Sequence, residues 1–134
     1  MLDNDHPLNE YVRVAEFRAA LRRFLRRTER IARDTGLTPQ RYLLLLMIKG
    51  AADGSARSTV TTLANRLQLA QSTVTELVGR AEEAGLLARE PSPADGRVAL
   101  LALTPRGERL LADAFTSLET ERRNLLASLV NLEP

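Results

Sequence analysis

The segment QSTVTE, residues 71–76, sets one amide, three hydroxyls and one carboxylate within six residues. Gln71, Ser72, Thr73 and Thr75 are poor helix-interior residues, because short polar side chains compete with the helix for its own backbone groups. Yet the apolar residues around them, Leu63, Leu67, Leu69, Val74, Leu77 and Val78, keep helical spacing. In the first turn of a helix such side chains can hydrogen-bond phosphates and base edges, beside main-chain N–H groups that favour anions. Being short, they let the helix approach a duplex closely, and Thr75 can also touch a thymine methyl. The plainer alternative is that Ser72 and Thr73 cap the helix and Thr75 is only solvated. A second pair, Asp95 and Arg97, flanks Gly96 in PADGRV. An arginine at an extended tip suits the minor groove, and a carboxylate two residues away can orient its guanidinium. An ordinary surface ion pair is the alternative there.

Other chemistries are poorly served. With no cysteine there are no disulfides and no thiolate metal sites. The single histidine, His6, precedes the first helical pattern and has no clustered partners, so it is read as having no functional role. There is no Gly-rich phosphate loop, and Glu82 and Glu83 are neighbours that point differently on a helix. The chain is therefore expected not to be an enzyme, and no cofactor or metal is expected. The start MLDNDHPLNEY does not read as a signal peptide, and no apolar run approaches the roughly 20 residues of a bilayer span, so a cytoplasmic protein without membrane contact is expected.

The net charge of +2 is unevenly placed. Residues 11–41 hold nine arginines against Glu16, Glu29 and Asp34, a local +6, which leaves −4 elsewhere. Residues 57–104 are neutral: Arg57, Arg66, Arg80, Arg89 and Arg97 face Glu76, Glu82, Glu83, Glu90 and Asp95 in number.

The elements that must position these groups follow from pattern. One domain is expected over residues 1–134. Residues 8–34 read as a helix with Val14, Phe17, Leu21, Phe24, Leu25, Thr28 and Ile31 on one face and Gly36 beyond its end. Thr38 and Pro39 open a second helix whose run Leu43–Ile48 is apolar all round, hence buried. GAADGSARS is a loop. Thr59 opens a short third helix to Leu67, and after a three-residue turn a fourth runs from about Gln71 to Ala84, stopped by Gly85. That is helix-turn-helix spacing. The fourth helix turns Val74, Leu77, Val78 and Ala81 inward and leaves Ser72, Thr73, Thr75, Glu76 and Arg80 outside or flanking. LLARE and RVALLAL then form a β-hairpin around PSPADG. Thr104 and Pro105 open the last helix, expected to run unbroken to about Leu132.

Taken in order, LTPQRYLLLLMI, TVTTLANRLQLAQSTVTELVGRAEEAGLL and REPSPADGRVALLALTPRGERLL resemble the MarR-type family of bacterial transcription regulators over nearly the whole chain. The resemblance implies a mainly α (α+β) winged helix-turn-helix fold with long N- and C-terminal dimerisation helices. It implies a homodimer on a pseudo-palindromic double-stranded DNA operator, a repressor released by a small, often aromatic, anionic effector. By position it assigns Gln71, Ser72, Thr73, Thr75 and Glu76 to the DNA-reading face, Arg97 to the wing with Asp95 orienting it, and Arg80, Arg66 and Arg57 to phosphates. Phe17, Arg41 and Tyr42 lie near the region of such an effector pocket. Four departures stand out. Glu76 replaces a frequent base, Gln68 a turn glycine, Ala70 a Ser N-cap, and Gly96 a second wing arginine. Gln68 is expected to take a left-handed conformation, and Ser72 could take over the cap by shifting the helix start.

Leu111, Leu118, Leu125 and Leu132 recur every seven residues, with Phe115 and Leu129 between them. Such a seam packs another helix, either the partner's or the chain's own first helix. With the resemblance, residues 8–34 and 105–132 are expected to form the dimer and residues 57–104 the reader lobe. The neutral lobe and Glu76 favour one rival reading, a winged-helix protein–protein module that dimerises without reading DNA.

Overall fold

The computed structural model describes residues 5–132. Six helices and one hairpin follow in the order α1 (Leu8–Asp34), α2 (Pro39–Lys49), α3 (Val60–Leu67), α4 (Gln71–Glu83), β1 (Leu87–Pro91), β2 (Ala99–Leu103), α5 (Pro105–Ser117) and α6 (Glu119–Val130). Thr38, Thr59 and Thr104 each accept a main-chain N–H from three residues on, so three helices begin where a hydroxyl satisfies an orphan donor.

The strands pair antiparallel, with Leu87 opposite Leu103 and Pro91 opposite Ala99. Ser58, from the loop before α3, exchanges both main-chain bonds with Leu101 at 3.2 and 2.8 Å, pinning that loop to the hairpin. Helix α2 runs through the middle of the core, where Leu44, Leu45 and Ile48 meet Leu63 of α3, Val74 and Val78 of α4, Leu101 of β2 and Leu118. Within its apolar run Leu44, Leu45 and Ile48 are buried and Leu46 and Met47 half-buried where α1, α3, α4 and α5 pack around it, while Leu43 stays exposed.

The buried stripe of α1 is Ala20, Thr28, Ile31 and Ala32. Val14 and Leu25, expected on that stripe, are 48% and 50% exposed. The Thr28 hydroxyl is satisfied within the helix by the Phe24 carbonyl oxygen, at 2.9 Å.

The unbroken last helix is not what forms. The chain bends at Leu118, whose φ of −96° and ψ of 5° end α5 and start α6. Leu118 is drawn into the core, 1% exposed, and the bend lets α6 fold back along α1. The Phe115 carbonyl oxygen at the bend accepts Arg122 Nη1 at 2.9 Å, while the same guanidinium lies 3.7 Å from the Phe115 ring centroid. Arg27 Nε and Glu121 Oε1, 3.2 Å apart, tie α6 to α1.

The heptad seam is split by this bend. Leu111 and Leu118 are buried in the chain's own core and present no surface to a partner. Leu125 is half-buried, and Phe115 and Leu129 are exposed. A seven-residue repeat records spacing along the chain, and it survives a bend that changes the helix direction. Among the described residues no helix is long and apolar enough to cross a membrane.

Candidate nucleic-acid interface

Helices α3 and α4 meet through the turn Gln68–Leu69–Ala70. Gln68 is left-handed, with φ 56° and ψ 46°, as its position required. The Leu69 amide donates to Ala64 O and the Gln68 amide to Asn65 O, so the turn closes as a Schellman motif with glutamine in the usual glycine place. Gln68 Nε2 adds a bond to Asn65 O at 2.6 Å.

Helix α4 starts at Gln71, with Ala70 as N-cap and no side-chain cap bond. Ser72 does not shift the start. Val74, Leu77, Val78 and Ala81 are its buried residues, the face that periodicity assigns to the core. Ser72, Thr73 and Thr75 are exposed, and no hydrogen bond engages their side chains among the described residues. The capping alternative for Ser72 and Thr73 is thereby removed. The first turn of α4 thus offers uncapped N–H groups together with three hydroxyls to solvent. Gln71 leans back, its Nε2 3.3 Å from Thr61 Oγ1.

Beyond the paired strands the wing tip is held by local bonds. Ser92 and Val98 close it at 3.0 Å, and the Ser92 hydroxyl oxygen accepts the Ala94 and Asp95 amides. Asp95 Oδ1 accepts both the Arg97 amide at 3.0 Å and Arg97 Nε at 3.2 Å. The Arg97 amide and then its guanidinium hold the Asp95 carboxyl below the usual carboxylate range. The Arg97 side chain is 92% exposed, so the guanidinium is oriented at its base and open at its end.

The other lobe arginines are engaged with the chain itself. Arg57 Nε lies 2.8 Å from Glu90, Arg80 Nη2 2.6 Å from Glu76, and Arg89 Nη2 2.9 Å from Glu82. Arg66 Nη1 donates to Met47 O and Gly50 O at 3.0 and 3.2 Å, which caps the C-terminal end of α2. Sequence reasoning placed Arg66 on phosphate and missed this cap. Nothing in the spacing of Arg66 and Gly50 reveals it, since the contact exists only once α3 packs on α2.

The three residues marked for an effector are dispersed in depth. Tyr42 is buried, Phe17 and Arg41 half-buried. Burial raises the Tyr42 hydroxyl pKa, and the Arg122 charge partly counters it. An apolar cleft of about 340 Å³ lies instead between α2 and α5, lined by Leu46, Leu111, Ala112 and Phe115 with Lys49 and Glu108 at its rim. Lys49 and Glu108 pair across it at 3.0 Å.

A model of the MarR family matches residues 35–98, the stretch from the end of α1 through the wing tip. Over that stretch the chain matches the MarR family. It is 29% identical over 103 residues to the uncharacterized HTH-type transcriptional regulator YsmB of Bacillus subtilis, covering 77% of this chain and 68% of that one. Among solved structures it superposes on the transcriptional regulator Tm0710 of Thermotoga maritima with a TM-score of 0.66 and 29% identity, over 84% of this chain and 76% of that one. CouR of Rhodococcus jostii, solved bound to p-coumaroyl-CoA, gives 0.63 and 28%, over 73% and 66%. MarR-family proteins are transcription regulators rather than enzymes, and the mainly helical α+β winged helix-turn-helix is the fold that this chain shares with these solved structures.

Proposed function

We propose that this MarR-family chain is a homodimeric, sequence-specific DNA-binding transcription regulator, a repressor released by a small-molecule ligand. One observation carries the reading. The hydroxyls of Ser72, Thr73 and Thr75 stand exposed and unengaged in the first turns of α4, and the wing that follows carries an Arg97 clasped by Asp95 and open to solvent. Helix α4 enters the major groove and Arg97 the adjoining minor groove. Gln71 and Glu76 border the reading face. Arg57 and Arg80 reach phosphate or base by exchanging their internal carboxylate partners. Arg66 positions α3 on α2 rather than touching DNA.

Two copies are needed, because a half-site reader gains affinity and register from a two-fold partner about one DNA turn, roughly 34 Å, away. Helix α6 runs antiparallel along α1, with Glu121 beside Arg27 and Asn124 beside Phe24. Both helices carry exposed apolar residues: Tyr11, Val12, Val14 and Leu25 on α1, and Leu126, Leu129 and Val130 on α6. These, with Phe115 and half-buried Leu125, form the proposed dimer surface. The apolar cleft between α2 and α5 suits a ligand with an aromatic body and an anionic group reaching Lys49, in line with the acyl-CoA bound by CouR. As a DNA regulator the protein acts in the cytoplasm.

Selection of bound duplexes from a random pool, followed by salt titration, tests the reading. The expected outcome is a palindrome with half-sites one turn apart and an affinity that falls steeply with salt. No enriched duplex and no salt slope overturn it, and leave the dimerising protein–protein module, which the neutral lobe favours.

A further inference from the structure

Glu76 is the one acid in the first ten residues of α4, Gln71 to Arg80. Glu76 stands one turn before Arg80, their side chains 63% and 61% exposed and joined at 2.6 Å. Neither belongs to the core side of α4, and an exposed pair of this kind contributes little to folding. A role for the pair in base recognition rests on α4 being the DNA-reading helix. Against a duplex, the Glu76 carboxylate is repelled by every phosphate and by every acceptor on a base edge. Guanine shows the major groove only acceptors, and thymine an acceptor and a methyl. Donors come from the amino groups of cytosine and adenine alone, and on adenine the neighbouring N7 acceptor repels the second carboxylate oxygen. Cytosine N4 is therefore the favourable partner. In the same base pair guanine presents O6 and N7, the acceptors an arginine fork fits best. Side chains at i and i+4 lie about 5–6 Å apart, enough to engage one base pair or two adjoining ones.

We propose that Glu76 and Arg80 form a two-residue specificity determinant that selects a C·G pair in each half-site, Glu76 accepting from cytosine N4 while Arg80, steered by Glu76, donates to guanine O6 and N7 of that pair or its neighbour. The carboxylate weakens every complex that lacks the cytosine, so the neutral lobe discriminates at the expense of general affinity.

The test uses the full chain as wild type, Glu76→Gln and Arg80→Gln, all folded by circular dichroism. Each is taken through the random-duplex selection, and the enriched duplex is then titrated against its single-pair variants at fixed salt. Wild type is expected to require C·G at one position per half-site, with roughly ten-fold weaker binding to any other pair there. Glu76→Gln is expected to gain affinity for duplexes that lack the cytosine and to move the preference at that position toward A·T, because a glutamine pairs with adenine. Arg80→Gln is expected to lose the guanine requirement. If Glu76→Gln keeps the wild-type base preference and only binds everything more tightly, Glu76 merely repels phosphate and the inference is overturned while the DNA-reading role stands. If wild type enriches no duplex, both fall.

Discussion

The Thr104 hydroxyl donates to the Gly85 carbonyl oxygen at 2.6 Å. The same oxygen atom of Thr104 accepts the Gly107 amide at 3.1 Å, and the Thr104 amide donates to Leu86 O at 3.0 Å. One residue thus joins the C-terminal end of α4, where Gly85 turns with φ 77°, to the first turn of α5. The position of α5 is tied to that of α4 by direct hydrogen bonds.

Gly107 is what permits this junction. A Cβ at position 107 would run into the Leu86 carbonyl group, and a main-chain atom cannot step aside as a side chain can. Gly107→Ala is expected to destabilise by about 2–3 kcal/mol, read as a lower urea midpoint with unchanged slope. An unaltered midpoint would show that α5 is not seated this closely.

The wing offers a paired test. Arg97→Ala is expected to weaken binding to all duplexes by roughly ten-fold, and Asp95→Asn by less, because the amide-held loop persists while the guanidinium loses its orienting charge. Since the Asp95 pKa is depressed, its charged clasp is present at neutral pH and is lost only as pH falls through that lowered value. Equal affinity of Arg97→Ala and wild type would remove the minor-groove contact.

Two leucines of the heptad should behave differently. Leu129 is 47% exposed, so Leu129→Glu is expected to leave the fold intact and yield a monomer by sedimentation. Leu118 is 1% exposed, so Leu118→Glu places a carboxylate in the core and is expected to cost more than about 3 kcal/mol, unfolding the chain. A folded dimer of Leu129→Glu would refute the proposed surface.

Tyr42 predicts an alkaline limit to stability. Its folded pKa is raised above 10.0 by burial, so the unfolded chain releases that proton at a lower pH than the folded one. Stability from this group is therefore present below about pH 10, the unfolded value, and is lost as pH rises toward the folded value. Tyr42→Phe should lose less stability than wild type between pH 9 and 11, roughly the interval in which tyrosines titrate, in thermal melts. Parallel curves would mean the hydroxyl is not desolvated.

At Gln68 the left-handed backbone costs on the order of 1 kcal/mol relative to glycine. Gln68→Gly also gives up the bond to Asn65 O and adds freedom to the unfolded chain, so the expected net gain is only about 0.5 kcal/mol. A loss of stability would show that the side-chain bond outweighs the strain.

Most helix ends were legible because their causes are local. Thr38, Thr59 and Thr104 satisfy N–H groups three residues away, and Gly36 and Gly85 take positive φ next to the helices they end. The inward face of α4 followed from periodicity for the same reason. The bend at Leu118 left no such mark. No proline or glycine lies between Ala112 and Leu132, and the heptad of leucines argued for continuity. Core burial of Leu118 and the docking of α6 on α1 outweighed helical continuity, and both depend on residues seventy or more positions earlier in the chain.

The site divides along the same line. Which groups α4 shows to solvent, the left-handed turn at Gln68 and the Asp95–Arg97 clasp were set by short-range geometry, so the amino-acid sequence alone determined them. Where Arg66 and Arg57 go was decided only by tertiary structure, since their partners, Met47, Gly50 and Glu90, are brought near by the packing of α3 on α2 and by the closing of the wing. An arginine's long stem reaches whichever acceptor folding brings within range, whereas a threonine in the first turn of a helix has nowhere else to go.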